Sequence, residues 1–275
     1  MRITILVNDR AAEGLREEHG LALWIEADGK KILFDTGQGG ALPGNAQFLG
    51  IDPRSADCVV LSHGHYDHGG GFPVVLGGRP GPAVYAHPAS AQPRYALEGG
   101  LAHLVGLPAE AASSLLRVPE ERMHWVAKAV ALGPGIGLTG SIYRETDYED
   151  TGGAFFLDPA GATPDPLEDD MALWIATPQG LVVCLGCGHA GVINTLSQAL
   201  RISGASRIRA VVGGFHLLEA GEDRLEKTIQ ALKAFDPDQV APCHCTGDVA
   251  MARLSAALGG RFVAARAGTV LNFSS

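Results

Sequence analysis

The chain has 275 residues, of which 46% are hydrophobic and 19% charged, enough for a substantial core and too few charges for a disordered chain. A formal net charge of −9 with no basic run sets aside nucleic acid as a partner. No apolar run is long enough to span a bilayer, and the odd total of five cysteines points to a reduced, cytoplasmic protein.

Residues 2–7 and 21–26 run apolar or alternate, and Lys31-Ile32-Leu33-Phe34 follows the hairpin signal Asp28-Gly29. The chain is therefore expected to open as an antiparallel β-meander, with residues 1–7 too brief for a signal-peptide core. His19, between the first two strands, reads as a surface or turn residue. The meander ends at Phe34-Asp35-Thr36-Gly37, where an aspartate satisfies nearby backbone N–H groups. Residues 41–50 read as a short helix closed by glycine, and Asp57-Cys58-Val59-Val60-Leu61 as a buried strand.

That strand runs into Ser62-His63-Gly64-His65-Tyr66-Asp67-His68-Gly69-Gly70-Gly71. Three imidazoles and a carboxylate crowd one loop, which is the composition of a metal site rather than of a polar surface loop. The donors suit one or two zinc ions, and also manganese or iron. His63 and His65 can face one ion while Asp67 and His68 face a second. Gly64 and the three glycines after His68 let the backbone turn tightly around whatever is held.

Residues 83–86 form a further strand closed by His87-Pro88, where His87 reads as a packed strand-end residue. Residues 89–170 are the least legible stretch and read as an insert or lid. Within it, 109–117 looks helical and 123–131 and 136–143 look like strands. Residues 147–170 are acidic and rich in Gly and Pro, a long loop whose carboxylates read as a solvated face. Arg144, Phe155 and Phe156 are candidate substrate contacts.

The second half alternates strands (172–177, 181–185, 208–212, 239–241, 261–264, 268–273) with helices (191–202, 222–234, 249–258). With no linker composition, one domain over 1–275 built of two packed β-rich halves is the expectation. Each of three βα junctions presents a histidine: His189 in Gly186-Cys187-Gly188-His189, His216 after Gly213-Gly214-Phe215, and His244 between Cys243 and Cys245. Ligands cluster at such strand ends. A structural zinc on Cys184, Cys187, Cys243 and Cys245 is the weaker reading, since Cys184 lies mid-strand.

His63-x-His65-x-Asp67-His68 resembles the signature of the metallo-β-lactamase-fold superfamily, and specifically the branch that includes a dihydropterin-(ribofuranosyl)aminobenzene-phosphate synthase of methanogens and many metal-dependent hydrolases. The resemblance implies an α/β fold, an αββα sandwich of two mixed β-sheets flanked by helices, with metals at one edge. It also implies that Asp35 braces the metal loop and that His244 is the last ligand, shared with Asp67 and His68. His189 is then the choice for third ligand of the His63/His65 ion, and His216 for an oxyanion-binding or proton-transfer role. Two departures stand out: residues 145–170 contain no histidine, and Gly186-Cys187 occupies the place of the usual Gly-Asp. Cys187 is thus expected in the inner shell in place of the bridging aspartate, with Asp165, Asp169 or Asp170 as oxygen ligands if it is not.

The function expected is a metal-dependent hydrolase using metal-activated water on a small phosphorylated or ester-like substrate, with Asp67 and His216 as catalytic groups. The alternatives are a pterin-diphosphate-condensing synthase on the same site, and a non-hydrolytic metal or redox sensor using Cys187. The partner is a small molecule, neither nucleic acid nor membrane, and the oligomeric state stays open.

Overall fold

The structure, a computed structural model, describes residues 1–77 and 81–273. It opens with β1 (Arg2–Val7), β2 (Ala22–Ala27) and β3 (Lys30–Phe34), all antiparallel. Asp28 and Gly29, at φ 48° and 75°, make the turn between β2 and β3. A two-residue hairpin of this hand needs positive φ at both positions, which aspartate tolerates and glycine adopts freely. The strands that follow are β4 (Cys58–Val60), β5 (Ala83–Ala86), β6 (Tyr95–Glu98), β7 (Leu101–Leu104), β8 (Met123–Trp125), β9 (Lys128–Gly133), β10 (Ile136–Gly140) and β11 (Phe155–Phe156). The last five are β12 (Leu173–Thr177), β13 (Gly180–Leu185), β14 (Ile208–Gly214), β15 (Gln239–Cys243) and β16 (Val270–Asn272).

These elements fall into two compact units, one of residues 1–127, 154–165 and 266–275, the other of residues 128–153 and 166–265. The first unit holds a seven-stranded sheet in the order β16-β1-β2-β3-β4-β5-β8 and a three-stranded sheet β11-β6-β7. The meander side is antiparallel, whereas β3, β4, β5 and β8 run parallel. A strand paired in parallel on both sides is covered on both faces, so every residue of β4 is buried. Leu6, Trp24, Leu33, Val59, Phe72 and Leu115 fill this unit's core.

The strand expected over 123–131 is broken in two. β8 ends at Trp125, Val126 donates to the carbonyl of Ala86 (2.9 Å), and β9 begins at Lys128 in the other unit's sheet. No glycine or proline marks that break, so composition hides it. The β6–β7 hairpin is not anticipated by the sequence either, although Gly99 and Gly100 turn it at φ 57° and 82°. Its strands lack a buried face, β7 being exposed throughout, and so show no hydrophobic periodicity.

The second unit holds a six-stranded sheet in the order β15-β14-β13-β12-β10-β9. β13, β14 and β15 are parallel, and each is followed by a helix: Val192–Ser203, Glu222–Phe235 and Asp248–Leu258. The helices bury Leu196, Leu225, Ile229 and Leu254 against Val183, Leu185 and Val211 of the strands. The register pairs Leu185 with Gly213 and Gly214 with Cys243, so the loops leaving these strands start side by side at one sheet edge. The strand expected over 261–264 does not form. Gly259–Arg261 is a 3₁₀ turn, and Phe262 makes only an isolated bridge to Val240. Among the described residues no helix is long and apolar enough to cross a membrane.

Candidate metal centre

In the first unit the centre is built on the loop leaving β4. Gly64 is where the loop passes closest to its neighbour: a Cβ there would sit 2.1 Å from the carbonyl oxygen of Ser90. Part of the expected loop is helical, with short helices at Tyr66–Gly69 and Phe72–Leu76. These turns place Asp67 and His68 on a helical step just after His63 and His65.

Asp35 braces two of the four side chains, His68 directly and His63 through Ser62. It is fully buried and takes φ 60°, a left-handed conformation that aspartate tolerates at a functional turn. Its Oδ1 accepts the backbone N–H of Ser62 (2.7 Å), and its Oδ2 accepts both the Ser62 hydroxyl (2.7 Å) and Nδ1–H of His68 (2.7 Å). Because the carboxylate only accepts, His68 carries its proton on Nδ1 and presents Nε2 as a lone pair. The Ser62 hydroxyl has one proton, already given to Asp35, so it accepts from His63 Nδ1 (2.9 Å). His63 is thereby fixed in the same tautomer. Its Nε2 converges on His65 Nδ1 at 3.0 Å, and His68 Nε2 lies 3.6 Å from Asp67 Oδ2. All four residues are buried. Two convergent donor pairs, N/N and N/O, with tautomers set by a buried carboxylate, fit a zinc, manganese or iron ion.

Neighbours of this loop include residues that sequence reasoning missed. His19 is half exposed, as expected of a turn residue, yet its Nδ1 lies 2.9 Å from Asp9 and its Nε2 3.4 Å from Asp67. Leu21 donates its N–H to the Asp67 carbonyl (3.2 Å), and a Cβ on Gly20 would lie 2.3 Å from that oxygen. The Phe155 ring faces His65 at 5.0 Å between centroids, which keeps it a candidate substrate contact. Phe156 pairs with Tyr95 in the three-stranded sheet. Asp165 is buried in an ion pair with Arg94 (3.0 Å), which commits its carboxylate to structure.

In the second unit, the loops after β13, β14 and β15 bring Cys187, His189, His216 and His244 to one sheet edge. Gly214 donates to the Gly186 carbonyl (2.9 Å), and the Cys245 thiol approaches the Cys187 carbonyl at 3.6 Å, lacing the three loops together. His216 and His244 take φ 46° and 49°, so both share the left-handed strain seen at Asp35. Cys187 and His189 are buried, and the His189 and His216 rings meet edge to face at 4.2 Å. His189 Nδ1 lies 2.8 Å from the Thr151 carbonyl. A carbonyl only accepts, so this imidazole too carries its proton on Nδ1 and presents Nε2.

The acidic loop is a solvated face only in part: Asp147, Asp150 and Glu168 are exposed, but four other carboxylates are buried. Glu149, Asp165, Asp169 and Asp170 are all buried. Glu149 caps the Val192–Ser203 helix through the N–H groups of Ile193 (2.9 Å) and Asn194 (3.0 Å), and burial pushes its carboxyl up against those bonds. Asp170 accepts from Ala190 N–H (2.7 Å). Burial pushes its carboxyl up to about 7, while the Ala190 bond and the Arg144 charge pull down and Asp169 pushes up. Arg144 donates to the carbonyls of His189 (2.7 Å) and Pro166 (2.9 Å), so it holds backbone in place at His189. Cys184 is fully buried in β13 and burial pushes its thiol up to about 12, as a mid-strand core residue requires.

The metallo-β-lactamase superfamily model matches residues 15–193. The 7,8-dihydropterin-6-methyl-4-(β-D-ribofuranosyl)-aminobenzene-5′-phosphate synthase of Methanocaldococcus jannaschii is 32% identical over 250 residues, 84% of this chain and 81% of that protein. The crystal structure of Tm1679, a metal-dependent hydrolase of the β-lactamase superfamily, is 30% identical, covers 100% of both chains and superposes with a TM-score of 0.85. Zn²⁺-bound PqqB from Methylobacterium extorquens is 14% identical with a TM-score of 0.57 over 99% of this chain and 100% of that one, a likeness of fold alone. With its mixed sheets flanked by helices and its His-x-His-x-Asp-His loop after β4, the chain belongs to the metallo-β-lactamase superfamily.

Proposed function

We propose that the protein is a metal-dependent hydrolase acting on a small phosphorylated or ester-like substrate. The observation that carries this reading is the convergence of His63 Nε2 and His65 Nδ1 at 3.0 Å, with the His63 proton directed to Nδ1 through Ser62 and Asp35. In this reading His63, His65, Asp67 and His68 of the first unit and Cys187, His189 and His244 of the second would serve as the metal ligands. Zinc suits this set best, with manganese or iron as alternatives. When bound, such an ion supplies Lewis-acid polarisation and brings the proton loss of water into the neutral range.

The chain's own groups do the rest. Asp67 orients water through its carboxylate, and Phe155 walls the His65 side against solvent. His216, packed against His189 in the second unit, donates a hydrogen bond or proton to the leaving oxygen. His216→Ala is expected to keep its metal and lose rate mainly in kcat. Metal loss in that variant would make His216 a ligand and reopen the choice of His189.

Cys187 is expected to ligate as a thiolate. Cobalt-substituted protein should then show an intense near-ultraviolet charge-transfer band that disappears in Cys187→Ser. If the band is absent from the outset, Cys187 is a small buried side chain only, and Asp169 or Asp170 becomes the oxygen candidate.

A second reading, pterin-diphosphate condensation on the same residues, is favoured by the 32% identity to the methanogen synthase. Fold likeness alone does not choose a substrate. A screen of phosphodiesters, lactones and pterin diphosphates separates the two, and absence of turnover in all three would favour a metal or redox sensor instead.

A further inference from the structure

We propose that Arg224, Asp150 and the Thr151-Gly152 turn form a positioning device that sets the His189 tautomer and seats the His216 ring. This rests on the reading of His189 as a metal ligand, but the device itself is built entirely within the second unit. Two consecutive carboxylates pin the turn to two different helices. Glu149 is held on the first turn of helix Val192–Ser203 by the N–H groups of Ile193 and Asn194, and by the Thr146 hydroxyl (3.1 Å). Asp150 is held by the guanidinium of Arg224, from the first turn of helix Glu222–Phe235. The same Asp150 Oδ1 also accepts Gly152 N–H (2.8 Å), which closes the turn.

What the turn presents is specific. The Thr151 carbonyl takes Nδ1–H of His189 at 2.8 Å. Gly152, at φ 79°, lies flat against His216, and a Cβ there would stand 2.8 Å from both Cγ and Nδ1 of that ring. One turn thus touches both imidazoles, which in turn touch each other at 4.2 Å. A neutral histidine offers a metal one nitrogen only, the one without the proton. With the carbonyl in place that nitrogen is Nε2. With the turn displaced, the proton distributes over both nitrogens and the ligating form is diluted.

Arg224 is an expensive choice if stability were its only purpose. Its side chain is 7% exposed, its carboxylate partner is 74% exposed, and its Nε and Nη2 make no hydrogen bond among the described residues. A guanidinium buried against one exposed carboxylate carries a desolvation cost that a well-packed apolar side chain would not. Its distinctive effect is on where the Asp150–Gly152 turn sits. Arg224 and Asp150 are positioning residues, acting through Thr151 on His189.

The test uses full-length protein labelled with ¹⁵N-histidine and stripped of metal by a chelator, at mildly alkaline pH where the rings are neutral. Long-range ¹H–¹⁵N correlations, with His189 assigned by its loss in His189→Ala, should show a single Nδ1–H tautomer in the wild type. Asp150→Ala and Arg224→Met should show mixed tautomers at His189. Their zinc affinity, by competition with a chromogenic chelator, should fall roughly 10–100-fold. Arg224→Lys, which keeps a cation for Asp150, should recover part of both. Retention of the Nδ1–H tautomer and of zinc affinity in both disruptive variants overturns the device, whatever their melting temperatures do. If neither variant folds, the wild-type spectrum still decides, because a His189 proton on Nε2 contradicts the proposal outright. A His189→Ala protein with undiminished zinc affinity sinks the ligand reading instead, while the tautomer result decides the role of the turn independently.

Discussion

His65→Ala should bind metal more than ~100-fold more weakly than the wild type and lose turnover in proportion, since a ligand contributes more than the outer-shell groups whose loss costs about 10–100-fold. The expectation comes from local geometry. His65 Nδ1 and His63 Nε2 point at one position 3.0 Å apart in a loop where both residues are buried, and nothing apolar replaces that function. Stability should move far less than metal affinity, because alanine leaves space beside Phe155 but strands no charge. Equilibrium dialysis with element analysis checks it. Full metal content together with full activity in His65→Ala would remove this residue from the site.

The second large effect is at Asp35, which holds Ser62 and His68 and is not itself a proposed ligand. Asp35→Ala should lower the free energy of unfolding by roughly 3 kcal/mol, because three buried donors lose their acceptor at once. These are the Ser62 N–H, the Ser62 hydroxyl and His68 Nδ1. Metal affinity should fall as well, since the His63 and His68 tautomers are no longer imposed. Asp35→Asn separates the two effects. Asparagine tolerates the φ of 60° and keeps one carbonyl acceptor, so it should recover most of the stability. It should not recover metal affinity, because one amide oxygen cannot serve both carboxylate positions. Denaturant titration and zinc competition on the two variants read these quantities independently. Equal recovery of both in Asp35→Asn would reduce Asp35 to a turn residue.

Much of the fold was legible because its local signals agree with its tertiary requirements. The Asp28-Gly29 hairpin, the apolar run of β4 and the strand–helix alternation after residue 172 each follow one period or one turn rule. The candidate metal loop stands out in the sequence for a chemical reason: His63, His65, Asp67 and His68 all carry donor atoms, and the structure buries all four. The rest failed where side chains meet only in space. Glu149 and Asp150 lie in an acidic loop that looks solvated, yet one caps a helix some forty residues later and the other reaches Arg224. His19 meets Asp9 and Asp67 across segments with no periodicity. The β8–β9 break is silent because the chain changes sheets without changing composition.

The ligand and catalytic roles proposed for these side chains depend on a bound metal ion. The most direct measurement is element analysis of the purified, full-length protein, followed by chelation and re-addition of zinc, manganese or iron, with the phosphodiester, lactone and pterin-diphosphate screen run at each stage. The expected result is one or two equivalents of metal as purified, turnover lost on chelation, and turnover restored by at least one of the three metals. Protein that carries no metal above background, binds none on re-addition and turns over a substrate regardless would contradict a metal-dependent site.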